Sequence, residues 1–401
     1  MPVFPIAGLT FFLSLGVTFA ITPLVMRLAW GILALDRPDA RKFHAGPVPR
    51  LGGIAILAGF VVGVGTSLWF TGYSGSLFGA SRYHWIGWIL AIVALFCCGV
   101  IDDLRGMGPG AKLFVQLLAG SVVYAAGFRI DFVNVPWDGT IFLGIAALPV
   151  TLLWVVAVTN AVNLIDGLDG LATGVGFLMA CTIVAISYYR GIFPVAVISL
   201  ALAGSLLGFL PYNFNPARIF LGDSGSQFLG ITLAVISIRG LQKSATAVAI
   251  LAPMLVLGLP ILDTILVVLR RTWRIRGDAS AAGWRDRVRL SRSLFQADRE
   301  HIHHNLLDLG LSQRKAVLTL YVVSGAFCVA AFMLVALRDP ALALILAGCV
   351  TIATTGVKLF AIRRRIARSG AAPPAAPSES GGADDPSGPG DRPLVGGGRA
   401  C

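Results

Sequence analysis

Residues 193–210 read FPVAVISLALAGSLLGFL, eighteen positions without a charge. The hydrocarbon core of a bilayer is about 30 Å thick, and a helix needs roughly 20 apolar residues to cross it. Comparable runs lie on either side, at 4–24, 51–70, 85–101, 113–127, 141–158, 171–189, 227–238, 245–269, 316–337 and 341–362. Those at 113–127 and 227–238 are short. Together they predict an all-α, polytopic integral membrane protein with about eleven transmembrane helices. The first run lacks a small-residue cleavage site and continues into Arg27, so it reads as a retained helix.

Composition agrees. The chain is 56 % hydrophobic and only 13 % charged, with a mean hydropathy of +0.81. Soluble domains carry about 25 % charge, so 401 residues of this composition cannot cover a water-facing surface. Six cysteines are too sparse for a secreted disulfide scaffold.

Lysine and arginine set the orientation. With eleven spans, 24 of them fall on one side of the membrane and 6 on the other. The rich side is read as cytoplasmic, which puts the N-terminus outside and the C-terminus inside. The net charge of +12 is then a topology signal, with no nucleic-acid partner implied. A basic face also attracts anionic lipids and substrates. Residues 1–368 read as one membrane-embedded domain that includes a basic loop at 270–315. The tail at 369–401, rich in Gly, Pro, Ala and Ser, cannot bury a core and is expected to be disordered. Deleting it should leave activity intact, which an assay of the truncated chain checks.

The acids gather on the same side as the lysines and arginines. Sixteen of the 20 fall there, several in short glycine-containing turns at helix ends, where backbone can approach a ligand. Asp102 and Asp103 close the third span. Stop signals are normally basic, and two adjacent carboxylates repel unless a cation or a raised pKa relieves them. Lys112 opens the next span. The segment Asn160-Ala161-Val162-Asn163-Leu164-Ile165-Asp166-Gly167-Leu168-Asp169-Gly170 links spans five and six without any lysine or arginine. Asn163, Asp166 and Asp169 are spaced by three, so one helical turn places them on one face. An EF-hand loop would require a glutamate at its twelfth position, which is missing.

Asp223 sits in Gly222-Asp223-Ser224-Gly225, read as a helix N-terminus whose backbone N–H groups suit phosphate oxygens; a plain N-cap is the simpler account. Phe220, just before it, offers a ring to stack on a base. His301, His303 and His304 fall within four residues, near Arg299. With no cysteine nearby, phosphate binding or proton transfer fits them better than structural zinc. Clustered carboxylates without sulfur ligands suit Mg²⁺ or Mn²⁺, which take a few carboxylates, substrate phosphates and water. Such an ion bridging a diphosphate favours phosphoryl transfer. A secondary transporter would place its charges near the bilayer midplane, and here only Asp263 lies deep within a span.

In that order and on one membrane face, these motifs resemble the bacterial polyprenyl-phosphate N-acetylhexosamine-1-phosphate transferases. The resemblance runs from Asp36 to Leu320. It includes the stretch Asp36 to Gly53, the Asp102-Asp103 pair, Lys112 with Gln116, Asn163 to Gly170, Asn213 to Gly225, Pro260 to Asp263, and Arg299 to His304. It implies that sugar-1-phosphate passes from a UDP-N-acetylhexosamine to undecaprenyl or decaprenyl phosphate, giving a polyprenyl-diphosphate sugar and UMP. This is the first membrane step of an envelope polysaccharide. The histidine segment resembles the N-acetylglucosamine branch; the phospho-MurNAc-pentapeptide transferases of peptidoglycan synthesis are the alternative.

Carried over by position, the resemblance makes Asp223 the principal Mg²⁺ ligand, with Asp166 beside it. Asp102 and Asp103 form the acidic pair by the attacking lipid phosphate. Asn163, Asp166 and Asp169 form a nucleotide-binding, metal-proximal set. Asn213 and Phe220 contact ribose and uracil. Lys112, His301, His303, His304 and Arg299 contact diphosphate, and Lys42 and Arg50 bind substrate. It also implies a multi-pass protein of the bacterial inner membrane with a cytoplasm-facing site, and a homodimer. Asp263 is read as a buried polar partner between helices.

Overall fold

The structure is a computed structural model. It describes residues 3–36, 46–70, 82–135, 139–241, 254–266 and 302–337, and scattered positions between 341 and 356. In chain order the helices are α1 (Val3–Gly31), α2 (Gly52–Phe70), α3 (Arg82–Arg105), α4 (Pro109–Ala125), α5 (Ala147–Ile165), α6 (Leu171–Tyr189), α7 (Phe193–Asn213), α8 (Gly222–Leu241), α9 (Ile302–Asp308) and α10 (Gln313–Leu337). Further helical backbone occupies 254–266. Among the described residues, seven helices are long and apolar enough to cross a membrane: α1, α2, α3, α5, α6, α7 and α10. The protein is therefore a polytopic, mainly helical membrane protein. The expected span at 245–269 is described only from 254 to 266 and that at 341–362 only at scattered positions, while the tail and most of the basic loop lie outside the described residues.

The all-α expectation needs one amendment. Two short antiparallel ribbons are present, β1 (Leu35–Asp36) with β2 (Val48–Pro49), and β3 (Phe132–Val135) with β4 (Gly139–Phe142). The second ribbon also moves a boundary. The run at 141–158 begins as strand, passes through a 3₁₀ turn at Gly144–Ala146, and becomes helical only at Ala147. Helix α5 consequently extends to Ile165, so Asn160 and Asn163, expected in a loop, stand on its last turns.

The two short expected spans correspond to α4 and α8. Helix α4 has 17 residues, about 25 Å of rise. It buries Gln116, Ala119, Gly120 and Val123 on one face and leaves Phe114 and Leu118 exposed on the other. Helix α8 is different: every residue from Ser224 to Ile238 is buried. It packs against α2, α3, α5, α6 and α7 at the centre of the bundle. Because it has no lipid-facing side, it can carry Ser224, Ser226, Gln227, Thr232 and Ser237, and its hydropathy is correspondingly weak.

Candidate active site

The ends of α3, α5 and α7 and the starts of α4 and α8 meet around a cavity of about 670 Å³. Its wall includes Arg50, Asp103, Lys112, Asn163, Asp166, Asp169, Asn213, Phe220, Asp223 and His304, all picked out in the sequence. Lys42, Arg299 and His301 lie outside the described residues, as does the side chain of His303. The structure thus brings together residues from six separate segments of the chain.

At the centre is Asp223, in the first turn of α8. Its Oδ1 accepts from Asn163 Nδ2 at 2.6 Å and from Lys112 Nζ at 3.2 Å. Asn163 also donates to Ser226 Oγ at 2.8 Å. Lys112 forms a second ion pair with Asp102, whose Oδ1 accepts the Met107 N–H. One ammonium therefore bridges two carboxylates from different helices.

The second member of the acidic pair is used differently. Asp103 Oδ1 accepts the Asp223 N–H at 2.8 Å, and Oδ2 accepts both the N–H (3.0 Å) and the hydroxyl (2.7 Å) of Ser224. It caps α8 from the neighbouring helix, satisfying N–H groups that a helix start leaves open. Gly222 makes this approach feasible. Its φ is +75°, and a Cβ there would lie 2.6 Å from the Asp103 carboxylate.

Asp169 is also engaged by the protein. Its Oδ2 accepts from Asn215 Nδ2 at 2.9 Å and from the Ala217 N–H at 3.0 Å. Asn215 donates in addition to Gln313 Oε1, and its carbonyl accepts from Arg314 Nε, so α10 helps pin this loop. Asn213, expected against the nucleotide, accepts from Thr173 Oγ1 at 2.7 Å and donates to the Ile219 carbonyl at 3.0 Å. Its buried amide shapes the Phe220 segment from behind. That segment is tied to the first loop: the Phe220 N–H donates to the Pro49 carbonyl, and the N–H groups of Gly52 and Gly53 donate to the carbonyls of Phe220 and Leu221. Arg50 thereby reaches the cavity, ion-paired with buried Asp36. Asp263 accepts the N–H of Ile302 at 2.9 Å, joining the 254–266 segment to the helix that carries His304. Sequence reading missed these fastening partners, because Asn215, Gln313 and Ser226 look like ordinary polar residues until the fold brings them together.

Asp166 follows α5 and faces the same cavity. Burial raises its carboxyl pKa well above the usual range; the charges of Asp223, Asp103 and Asp169 add to the rise, and Arg50 opposes it. A cation placed among these acids would reverse that shift. Among the described residues, no three His, Cys, Asp or Glu side chains form a closed ligand set. The available donors are carboxylate oxygens, with Asp223 and Asp166 facing the cavity. That suits a hard ion held by one or two carboxylates and completed by phosphate and water; it does not suit zinc.

Comparison with known proteins agrees with this geometry. Residues 85–241 match the model for glycosyl transferase family 4. A Bacillus subtilis protein named as a probable undecaprenyl-phosphate N-acetylglucosaminyl 1-phosphate transferase is 37 % identical over 325 residues, covering 81 % of this chain and 84 % of the relative. The decaprenyl-phosphate N-acetylglucosaminephosphotransferase of Mycobacterium tuberculosis is 33 % identical over 387 residues, covering 87 % of each. A phospho-N-acetylmuramoyl-pentapeptide-transferase of Clostridium perfringens is 32 % identical over a shorter stretch, 58 % of this chain. The chain belongs to the polyprenyl-phosphate N-acetylglucosamine-1-phosphate transferases of glycosyl transferase family 4.

Proposed function

We propose that this protein transfers N-acetylglucosamine-1-phosphate from a UDP-linked donor to undecaprenyl or decaprenyl phosphate, in an Mg²⁺-dependent reaction at the cytoplasmic face of a bacterial inner membrane. The observation that carries this reading is the cavity at one end of an apolar bundle that Asp166, Asp223, Lys112 and Asn163 line, with Asp102 ion-paired to Lys112. The relatives' names support the lipid acceptor and the sugar phosphate. The lysine and arginine asymmetry supports the cytoplasmic orientation.

In the reaction, an oxygen of the lipid phosphate attacks the sugar-bound phosphorus. A new P–O–P linkage forms, the bond to the uridylyl phosphate breaks, and UMP leaves. The second pKa of a phosphate monoester is about 6, so the lipid phosphate is largely ionised at neutral pH and no carboxylate need deprotonate it. Mg²⁺, when bound, neutralises charge on the diphosphate and polarises the phosphorus under attack. Asp223 and Asp166 would hold it. Lys112, bridging Asp102 and Asp223, places a positive charge beside the reacting phosphates. Phe220 and Arg50 line the cavity where the nucleotide would lie.

The test uses purified protein, polyprenyl phosphate, Mg²⁺ and a panel of labelled UDP-sugars. UDP-N-acetylglucosamine should give UMP and a lipid-linked sugar, and EDTA should stop the reaction until Mg²⁺ is restored. Turnover of only UDP-MurNAc-pentapeptide would favour the peptidoglycan reaction. Activity undiminished in EDTA would overturn the metal assignment.

A further inference from the structure

One turn deeper than Lys112, Asn163 and Asp223, the same three helices bring together a second set of polar side chains. Gln116 follows Lys112 by four residues on α4, Asn160 precedes Asn163 by three on α5, and Gln227 follows Asp223 by four on α8. Spacings of three and four keep each pair on one helix face, displaced about 4.5–6 Å along the axis.

These amides bond to one another. Gln116 Nε2 donates to Asn160 Oδ1 at 3.2 Å and to Gln227 Oε1 at 3.1 Å. Asn160 Nδ2 donates to Gln116 Oε1 at 2.7 Å and to the Val156 carbonyl at 2.9 Å. Gln116 and Asn160 thereby use both of their N–H donors and their carbonyl oxygen within the protein. Gln116 and Gln227 are each 1 % exposed. A set whose amides are spent largely on one another does not serve a ligand. Its effect falls on the helices that carry it.

Packing alone sets how closely these helices approach. At Gly230 of α8, a Cβ would lie 2.6 Å from Thr159 Cα on α5. Dispersion contacts of this kind are weak and non-directional, so a glycine contact by itself selects no single rotation. Amide hydrogen bonds are directional, and interhelical polar contacts serve as fasteners within membrane bundles.

We propose that Gln116, Asn160 and Gln227 are positioning residues that set the rotation and register of α4, α5 and α8, so that Lys112, Asn163 and Asp223 meet. This rests on the function proposed above. Displacements of about 1 Å in a catalytic constellation can cost about 10²-fold in rate, so small rotations matter.

The test compares wild type with Gln116→Met, Gln227→Met and Gln227→Glu, and with Gln116→Asn in case a methionine variant does not fold. Methionine keeps the length and removes the amide. A buried glutamic acid is neutral and keeps the oxygen that accepts from Gln116. Asparagine keeps the amide and shortens its reach. Steady-state kinetics, Mn²⁺ binding followed by electron paramagnetic resonance, and melting temperature are measured in detergent. The methionine variants should lose about 10–100-fold in kcat and in Mn²⁺ affinity, as loss of residues that orient metal ligands typically does. KM for the lipid should stay within about twofold. Gln227→Glu should recover most of the loss, and Gln116→Asn should lie between wild type and Gln116→Met. Lower melting temperatures with unchanged kcat and Mn²⁺ affinity would overturn the proposal, leaving the amides a purely structural role. Wild type that binds Mn²⁺ but releases no UMP would overturn the proposed function alone, and the binding data would still decide this inference. Wild type that does neither would overturn both.

Discussion

Asp223→Asn should lower UMP release by about 10³-fold or more, with the melting temperature close to that of wild type. The substitution preserves shape, and the Asp223 N–H that Asp103 accepts stays in place, so α8 still starts at the same point. What changes is charge at the centre of the cavity. Lys112 loses one of its two carboxylate partners and Asn163 loses an anionic acceptor. The principal proposed metal ligand also goes. An ion at such a site supplies several kcal/mol of charge stabilisation, and each 1.4 kcal/mol is tenfold in rate. Release of labelled UMP and Mn²⁺ binding measure the effect. Wild-type turnover in this variant would remove Asp223 from the chemistry.

Asp103→Asn should fail differently, losing stability and activity together. The wild-type carboxylate accepts three hydrogen bonds at the start of α8 while only 7 % exposed. An asparagine offers one acceptor oxygen and presents an NH₂ group to the remaining donors. Leaving a buried donor unpaired costs about 1–3 kcal/mol. The melting temperature should drop by several degrees, and turnover should fall about 10²-fold as Asp223 shifts. Ser224→Ala, which removes only the hydroxyl bond, should show a smaller version of both. If Asp103 were instead a general base, Asp103→Asn would lose turnover at an unchanged melting temperature, so the pair of measurements separates the two roles.

The contrast between these aspartates shows where sequence reading stops. Asp102 and Asp103 are neighbours of identical chemistry, and both looked like candidates for the reacting phosphate. In the fold, Asp102 meets the Lys112 ammonium, while Asp103 holds backbone 120 residues away in the chain. Asp169 likewise reads as part of an acidic motif, yet it pins the loop at Asn215 and Ala217. Asp263, read as a buried polar partner between helices, holds the first N–H of the histidine helix.

Helix α8 carries the same lesson at the level of the fold. Its apolar run is short, because a helix enclosed on every side by others has no lipid to satisfy and can hold serines, a threonine and a glutamine. Helix α5 shows the reverse case. Its apolar run suggested an earlier start and an earlier end, and a ribbon at Phe132–Phe142 took up the first residues.

The sequence by itself determined the membrane class, the gathering of the acids at one end of the bundle, and the chemistry that oxygen donors without sulfur allow. Those follow from hydropathy, charge sign and ligand hardness, which are properties of residue types and of order along the chain. Only the tertiary structure decided which carboxylates meet the Lys112 ammonium and which fasten backbone of distant segments, and that Gln116, Asn160 and Gln227 meet beneath them. A carboxylate's role depends on the particular N–H or ammonium that packing places against each oxygen, and those partners come from helices far apart in the chain.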